Sequence, residues 1–293
     1  MSRRPLRSFL FVPGDSEKKI GNVAGSTADA IVLDLEDSVS SSRKQVARDL
    51  VSTFLDDNAD RAALPQLWVR INPLDSGEAL ADLAAIVGSA PAGIMIPKID
   101  GPEHVHHVAH YVEALEAAHG LADASIQLLP VATETATAPF RLGEFATAGI
   151  SRLYGLTWGA EDLSAALGAS TNLGPDGRWA TTYQLVRSMM LMAAHAAAVE
   201  AVETLYVDIR DTSGLAESSR QARAEGFSGR IAIHPAQVDV INEAFTPSPD
   251  EIDFAQRVVD AFTDEAGVAT LDGRMLDMPH LKAARRTLAL ARQ

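Results

Sequence analysis

Short apolar runs recur along the chain at residues 8–12, 30–35, 67–71, 93–96, 126–131, 152–157, 204–209 and 230–233. Between them lie alanine-rich, charge-studded stretches whose apolar positions follow helical spacing, among them 78–87, 103–119 and 182–199. Strands alternating with helices predict a parallel sheet with helices outside it. Eight such units within 293 residues fit a closed (β/α)8 barrel better than an open doubly wound sheet. The turn after the first run, Pro13-Gly14-Asp15-Ser16, also lacks the G-x-G-x-x-G spacing of dinucleotide-binding sheets. Residues 1–245 are therefore expected to form the barrel with its catalytic rim, and 246–293 a C-terminal helical extension and lid. Within the extension the pattern predicts a helix over 249–265, a Gly- and Asp-rich stretch over 267–278 and a final helix over 279–292. Residues 56–65 and 168–177 read as loops.

The residues that end the runs carry the chemistry. In order they are Pro13-Gly14, Asp34/Glu36/Asp37, Arg70/Asn72, Lys98, Glu134, Glu161/Asp162, Asp208/Asp211 and His234. In a barrel these ends converge on one rim, where active sites of this architecture sit. Charged residues open loops in any fold, but that explains one or two ends rather than a ring with acids on one arc and Arg70 and Lys98 on another. Glu134 and Asp162, on consecutive strand ends, can supply two oxygen ligands to Mg2+, leaving positions for water and substrate oxygens. Such an ion would polarise a carbonyl and stabilise an enolate, the difficult step of aldol and Claisen chemistry. Equally, each can cap the helix that follows it.

Arg70 suits a two-pronged grip on a substrate carboxylate, or an ion pair with Asp34 or Glu36, and the two roles are compatible. Lys98 reads as a phosphate or carboxylate contact, with a Schiff-base lysine as the alternative. Asp34, Glu36 and Asp37 crowd three acids into four residues. Alternation puts Asp34 and Glu36 on one face, to orient a cation, tune a metal's waters or close the barrel with salt bridges. His234 is an acid/base candidate or a structural histidine. His104, His106, His107 and His110 lack a further ligand nearby and sit on what reads as an exposed outer helix, so zinc is not expected there.

Composition narrows the function further. An apolar fraction of 47% and a charged fraction of 22% are those of a soluble globular protein, and no apolar run approaches the roughly 18 residues of a membrane span. Arg3 and Arg4 precede an apolar stretch too short for a signal-peptide core, which predicts a cytoplasmic protein. The absence of cysteine excludes disulfides, thiolate catalysis and thiolate-bound metals. A net charge of −14 argues against nucleic-acid or anionic-membrane partners.

Several motifs follow one another in a familiar order. They are Leu10-Phe11-Val12-Pro13-Gly14, Asp34-Leu35-Glu36-Asp37-Ser38-Val39, Val69-Arg70-Ile71-Asn72, Pro97-Lys98 and Glu134-Thr135-Ala136. Gly159-Ala160-Glu161-Asp162-Leu163, Ala232-Ile233-His234-Pro235 and Gly273-Arg274-Met275-Leu276-Asp277-Met278-Pro279 complete the series. Together they resemble the citrate lyase β-subunit-like branch of the HpcH/HpaI aldolase superfamily, nearly end to end. The resemblance implies a (β/α)8 barrel, trimeric or hexameric, that makes or breaks a carbon–carbon bond in a β-hydroxyacyl-CoA thioester. Malyl-, citramalyl- and citryl-CoA are the substrate types, yielding a keto acid or glyoxylate and an acyl-CoA.

By the same resemblance Glu134 and Asp162 are Mg2+ ligands, with Mn2+ as a substitute, and Arg70 holds the keto or carboxylate end. Phe11, Pro13 and Gly14 lie beside the thioester and pantetheine arm. Asp277 is a lid aspartate offered to the neighbouring subunit, or else a cap of the terminal helix. HpaI-type relatives carry Glu-His where this chain has Glu36-Asp37, which leaves Glu36, Asp37 and Asp277 as the acid–base candidates. A CoA-independent HpaI-type pyruvate aldolase and a malyl-CoA-type thioesterase are the alternatives. A non-catalytic scaffold subunit ranks last, because Glu134, Asp162 and Arg70 are all present.

Overall fold

Eight strands form one parallel sheet in a computed structural model that describes residues 5–59, 64–262 and 267–291. Arg3, Arg4, Glu265, Arg292 and the middle of the 56–65 loop lie outside the described residues. The strands are β1 (Ser8–Pro13), β2 (Ala30–Asp34), β3 (Gln66–Arg70), β4 (Gly93–Ile96), β5 (Gln127–Pro130), β6 (Gly155–Thr157), β7 (Glu200–Glu203) and β8 (Gly229–Ala232). Their order is β5-β4-β3-β2-β1-β8-β7-β6. The two edges meet through parallel bridges Leu128–Leu153 and Val131–Thr157, with the Leu128 N–H donating to Arg152 O at 2.8 Å. A sheet whose edges pair is a barrel, and this one is closed.

Around it run α1 (Glu17–Gly21), α2 (Lys44–Asp57), α3 (Ala79–Ile86), α4 (Pro102–Ala118), α5 (Ala160–Ala166), α6 (Thr181–Ala196), α7 (Thr212–Glu225) and α8 (Val238–Phe245). Between β5 and β6 the chain crosses in 3-10 turns over Ala138–Thr147.

Period-two alternation sorts each strand. Phe9, Ala30, Val32, Trp68, Met95, Leu129, Val131, Val202 and Ile231 gather in one cluster, inside the barrel. Leu10, Ile31, Leu33, Leu67, Val69, Ile94 and Ile96 join the larger core under the helices. Trp68 packs edge-on against Phe9 and Tyr154, at 5.8 and 5.3 Å between ring centroids. A Cβ at position 93 would sit 2.2 Å from the Trp68 ring, so β4 can pass only as glycine. The alternation that sends Val32 and Trp68 inward also carries Asp34 and Arg70 inward, two residues on, at the C-terminal rim.

The seventh strand corrects the sequence expectation. It is Glu200–Glu203 rather than 204–209, and acids at both ends of Glu200-Ala201-Val202-Glu203 hide it from a hydrophobicity reading. Glu203 is buried because it accepts from Trp158 Nε1 and Arg187 Nε, each at 2.6 Å. Residues 204–209 leave the sheet, with Val207 and Ile209 exposed. Asp208 and Asp211 consequently end no strand. Asp211 caps α7, accepting from the Gly214 N–H at 2.9 Å.

Beyond α8 the chain forms α9 (Pro249–Ala261), an antiparallel hairpin of β9 (Val268–Leu271) and β10 (Arg274–Asp277), and α10 (Met278–Ala291). Ser248 and Glu251 close a capping box at the start of α9. Ala255, Val258, Leu276 and Ala284 make a small core of their own. Arg286 donates to Gly226 O at 2.8 Å and Arg223 pairs with Glu251, which ties the extension to the end of α7.

Candidate active site

Asp34 closes β2 and Arg70 closes β3, and their side chains meet in two parallel bonds, Nε–Oδ1 at 2.7 Å and Nη2–Oδ2 at 2.8 Å. The N–H groups of Glu36 and Ser38 fill the remaining lone pairs of Asp34. Burial works against ionisation of Asp34, but the Arg70 bonds and charge outweigh it and hold the carboxyl below its usual range. The Arg70 guanidinium also stacks over the Phe11 ring at 4.6 Å and lies 2.8 Å from Glu36 Oε2, without an aligned hydrogen bond. Burial raises Glu36, although the charges of Arg70 and Lys98 oppose the rise.

Lys98 links this cluster to the next. Its ammonium pairs with Glu36, with Asp37 at 3.0 Å and with Asp162 at 3.4 Å. Burial disfavours its charged form, but the three acids more than offset that and raise its pKa. The Lys98 backbone has φ of 51°, a left-handed conformation uncommon outside glycine. That conformation accompanies an N–H bond to Glu134 Oε2 at 2.7 Å. Backbone held out of its common range where it grips a buried acid is local strain held by that contact.

Glu134 is buried in the turn four residues past the end of β5. Asp162, in the first turn of α5 after β6, is partly exposed. Burial and the charge of Asp162 push the Glu134 carboxyl up to about 8. A Cβ at Gly159 would come within 2.7 Å of Glu134 Oε1, so glycine there lets the strand end close over the acid. Among the described residues, Arg70 and Lys98 are the cations that pair with or act on Asp34, Glu36, Asp37, Glu134 and Asp162. Five acids against two cations leave three negative charges when all are ionised.

That surplus fits a divalent cation at Glu134 and Asp162. Among the described residues no group of three or more His, Asp or Glu side chains could hold a metal alone. Two carboxylates suit Mg2+, which keeps water and takes substrate oxygens, better than an ion that needs a full protein cage.

A cavity of about 740 Å³ opens here, lined by Lys98, Glu134 and Asp162 together with Leu74, Leu80, His104, His107 and Tyr111. His104 and His107 therefore face the site rather than the exposed flank expected from the sequence. Phe11, Pro13, Gly14, Glu36, Asp37 and Arg70 do not line the cavity; Glu36 and Asp37 join it through their Lys98 pairs, and Arg70 one step further, through Glu36. Glu161 binds Asn172 at 2.8 Å, and His234 accepts from the Ala236 N–H. A second cavity, about 600 Å³, opens at the strand starts around Leu6, Asp29 and Gln66, where Asp29 is consumed by Arg7.

The pH dependence of the metal-free protein follows from Glu134. Its folded pKa, about 8, lies above the ordinary carboxylate value of 4.5, so between these values the unfolded chain binds fewer protons. Stability is thus lost as pH rises through that window. In chelator, Glu134→Gln is expected to raise Tm over wild type by more at pH 8.5 than at pH 5. Equal differences at both pH values would show that Glu134 titrates normally.

Residues 7–235 match the HpcH/HpaI aldolase/citrate lyase family. The chain belongs to that family. Residues 179–293 also match the C–C bond lyases of the TIM-barrel fold, and this member is accordingly a carbon–carbon lyase on a TIM barrel. Mitochondrial citramalyl-CoA lyase of Rattus norvegicus is 33% identical, covering 98% of this chain and 86% of that protein. A (3S)-malyl-CoA thioesterase of Cereibacter sphaeroides is 34% identical over 98% of this chain and 95% of its own. Among solved structures, CitE of Mycobacterium tuberculosis in complex with magnesium, acetoacetate and coenzyme A has a TM-score of 0.80 at 31% identity, covering 99% of both chains.

Proposed function

We propose that this family member is a Mg2+-dependent lyase that cleaves and forms a carbon–carbon bond in a β-hydroxyacyl-CoA thioester of the malyl-, citramalyl- or citryl-CoA type. The observation that carries the reading is the pair Glu134 and Asp162, joined to Lys98 and opening on a cavity of about 740 Å³. Relatives named for citramalyl-CoA and malyl-CoA, and a CitE structure holding magnesium, acetoacetate and coenzyme A, support the substrate class.

Bound there, Mg2+ (or Mn2+ in its place) polarises the carbonyl and stabilises the enolate. Glu134 and Asp162 hold the ion. Arg70, aligned by Asp34, takes the keto-acid carboxylate with its remaining donors, and Lys98 adds a second positive charge beside it. Phe11, Pro13 and Gly14, on the β1 side of Arg70, are the place for the thioester arm. Glu36, Asp37 and Asp277 are the acid–base groups. Of these, Asp37 is largely exposed and able to trade protons with solvent.

No described residue of the extension lines the cavity, which suits a homotrimer or hexamer in which Asp277 of one copy serves the next. No helix among the described residues is long and apolar enough to cross a membrane, and we place the enzyme in the cytoplasm.

A Schiff-base mechanism needs a neutral lysine, which the three acids around Lys98 oppose. Incubation with Mg2+ and a panel of the three thioester types is expected to release acyl-CoA and a keto acid or glyoxylate from at least one. Borohydride trapping of substrate on Lys98 without any metal requirement would replace this reading with the metal-free aldolase.

A further inference from the structure

The cavity runs on past the groups that the lyase reading uses. From Lys98, Glu134 and Asp162 it extends to a wall made by α4, where His104, His107 and Tyr111 line it together with Leu74, Leu80 and Ala166. Residues three and four apart share one helix face, so positions 104, 107 and 111 form a single stripe. His106 lies off that stripe, and its Nε2 meets Ala148 O at 2.9 Å.

The neutral tautomer of His104 is set by the backbone. The Asp100 N–H donates to Nδ1 at 3.2 Å, so Nδ1 is bare and the neutral ring carries its proton on Nε2. His104 is thereby a donor, and the exposed His107 and Tyr111 add two more donors along the stripe. The acids of the same cavity are otherwise engaged. Glu134 accepts the Lys98 N–H, and Asp162 lies 3.4 Å from the Lys98 ammonium. Asp100 accepts from the Thr135 hydroxyl at 2.6 Å, and Asp75 is exposed, where water and salt screen it. Donors set among Leu74, Leu80 and Ala166 fit an acceptor brought by the substrate, and an anion more strongly than a neutral group.

The place of α4 says which part of the substrate that is. With the thioester arm on the β1 side of Arg70, the wall after β4 lies on the other side, next to the substituent on the keto-acid carbon. A glyoxylate-type unit bears hydrogen there and a pyruvate-type unit methyl, and neither offers these donors an atom to bond. A unit with a second carboxylate does.

We propose that His104 and His107 form a subsite for a second carboxylate on the keto-acid half of the substrate, so that the enzyme selects dicarboxylic 2-oxo acid units over glyoxylate- and pyruvate-type units. The inference rests on the lyase reading above and names the substrate class of that same site. Asp100 acts as a positioning residue through its N–H, which holds the His104 ring with Nε2–H free for the carboxylate.

The test is the ratio of kcat/KM for citryl-CoA over citramalyl-CoA, measured on the whole protein with saturating Mg2+. Wild type is expected to favour citryl-CoA by at least ~10-fold, and His104→Ala and His107→Ala each to lower the ratio at least ~10-fold, through KM for citryl-CoA. His104→Gln, which keeps an N–H donor near the place of Nε2, recovers part of the ratio. A wild-type ratio of one or less, or a ratio unmoved in both alanine variants, overturns the subsite; a merely structural role would slow both thioesters alike and leave the ratio where it was. Calorimetry with free oxaloacetate and pyruvate on the Mg2+-loaded protein reads the subsite without turnover. Oxaloacetate is expected to bind at least ~10-fold more tightly, and equal affinities overturn the proposal. Failure to cleave any of the malyl-, citramalyl- and citryl-CoA thioesters, with that difference in affinity intact, overturns instead the lyase reading.

Discussion

Arg70→Met is expected to destabilise the protein by about 3–5 kcal/mol, because it leaves Asp34 and Glu36 buried without the cation that both face. The guanidinium satisfies Asp34 in two aligned bonds, and methionine fills the volume but accepts none of the charge. Urea unfolding measures this directly as a fall in midpoint at constant slope. Arg70→Lys separates stability from chemistry. A lysine retains the charge and part of the stability, but cannot bond Asp34 and a substrate carboxylate together in the same plane. Its kcat/KM is therefore expected to fall by at least about tenfold, on the order of 1.4 kcal/mol. An unchanged urea midpoint in Arg70→Met would mean that Asp34 and Glu36 are solvated or protonated, and that Arg70 is not the keystone of the rim.

The rim was legible in the sequence wherever period two ran unbroken. Val32 followed by Asp34, and Trp68 followed by Arg70, keep one parity, so the inner face of the barrel continues into the site. The same rule failed at β7, where Glu200 and Glu203 carry charge into a strand and Glu203 is stabilised by partners far away in sequence, Trp158 and Arg187. Propensity cannot reveal a buried acid whose partners are tertiary.

His104 and His107 were missed for a related reason. Their helical spacing describes α4, but only the docking of its first turn at the rim shows which face meets the cavity. The left-handed backbone of Lys98 and the close approach of Gly159 to Glu134 leave no periodic trace at all.

The largest effect on activity is expected at Glu134. It is buried, it accepts the Lys98 N–H, and its carboxyl sits at about 8 through burial and the charge of Asp162. A cation binding there must displace that proton, so Mg2+ affinity should weaken about tenfold for each pH unit below 8 and level off above it. Glu134→Gln keeps the shape and loses the charge. It is expected to lower kcat by at least about a thousandfold, on the order of 4 kcal/mol, while leaving the fold intact.

The most direct measurement is calorimetric titration of Mg2+ into the chelator-stripped protein at pH 7 and pH 8.5, for wild type, Glu134→Gln and Asp162→Asn. The expected result is binding by wild type with proton release at pH 7, tighter binding at pH 8.5, and a loss of affinity of at least about a hundredfold in each variant. Undiminished Mg2+ binding by both variants, or full lyase activity in wild type after the metal is removed, would contradict the assignment of Glu134 and Asp162 as the metal site.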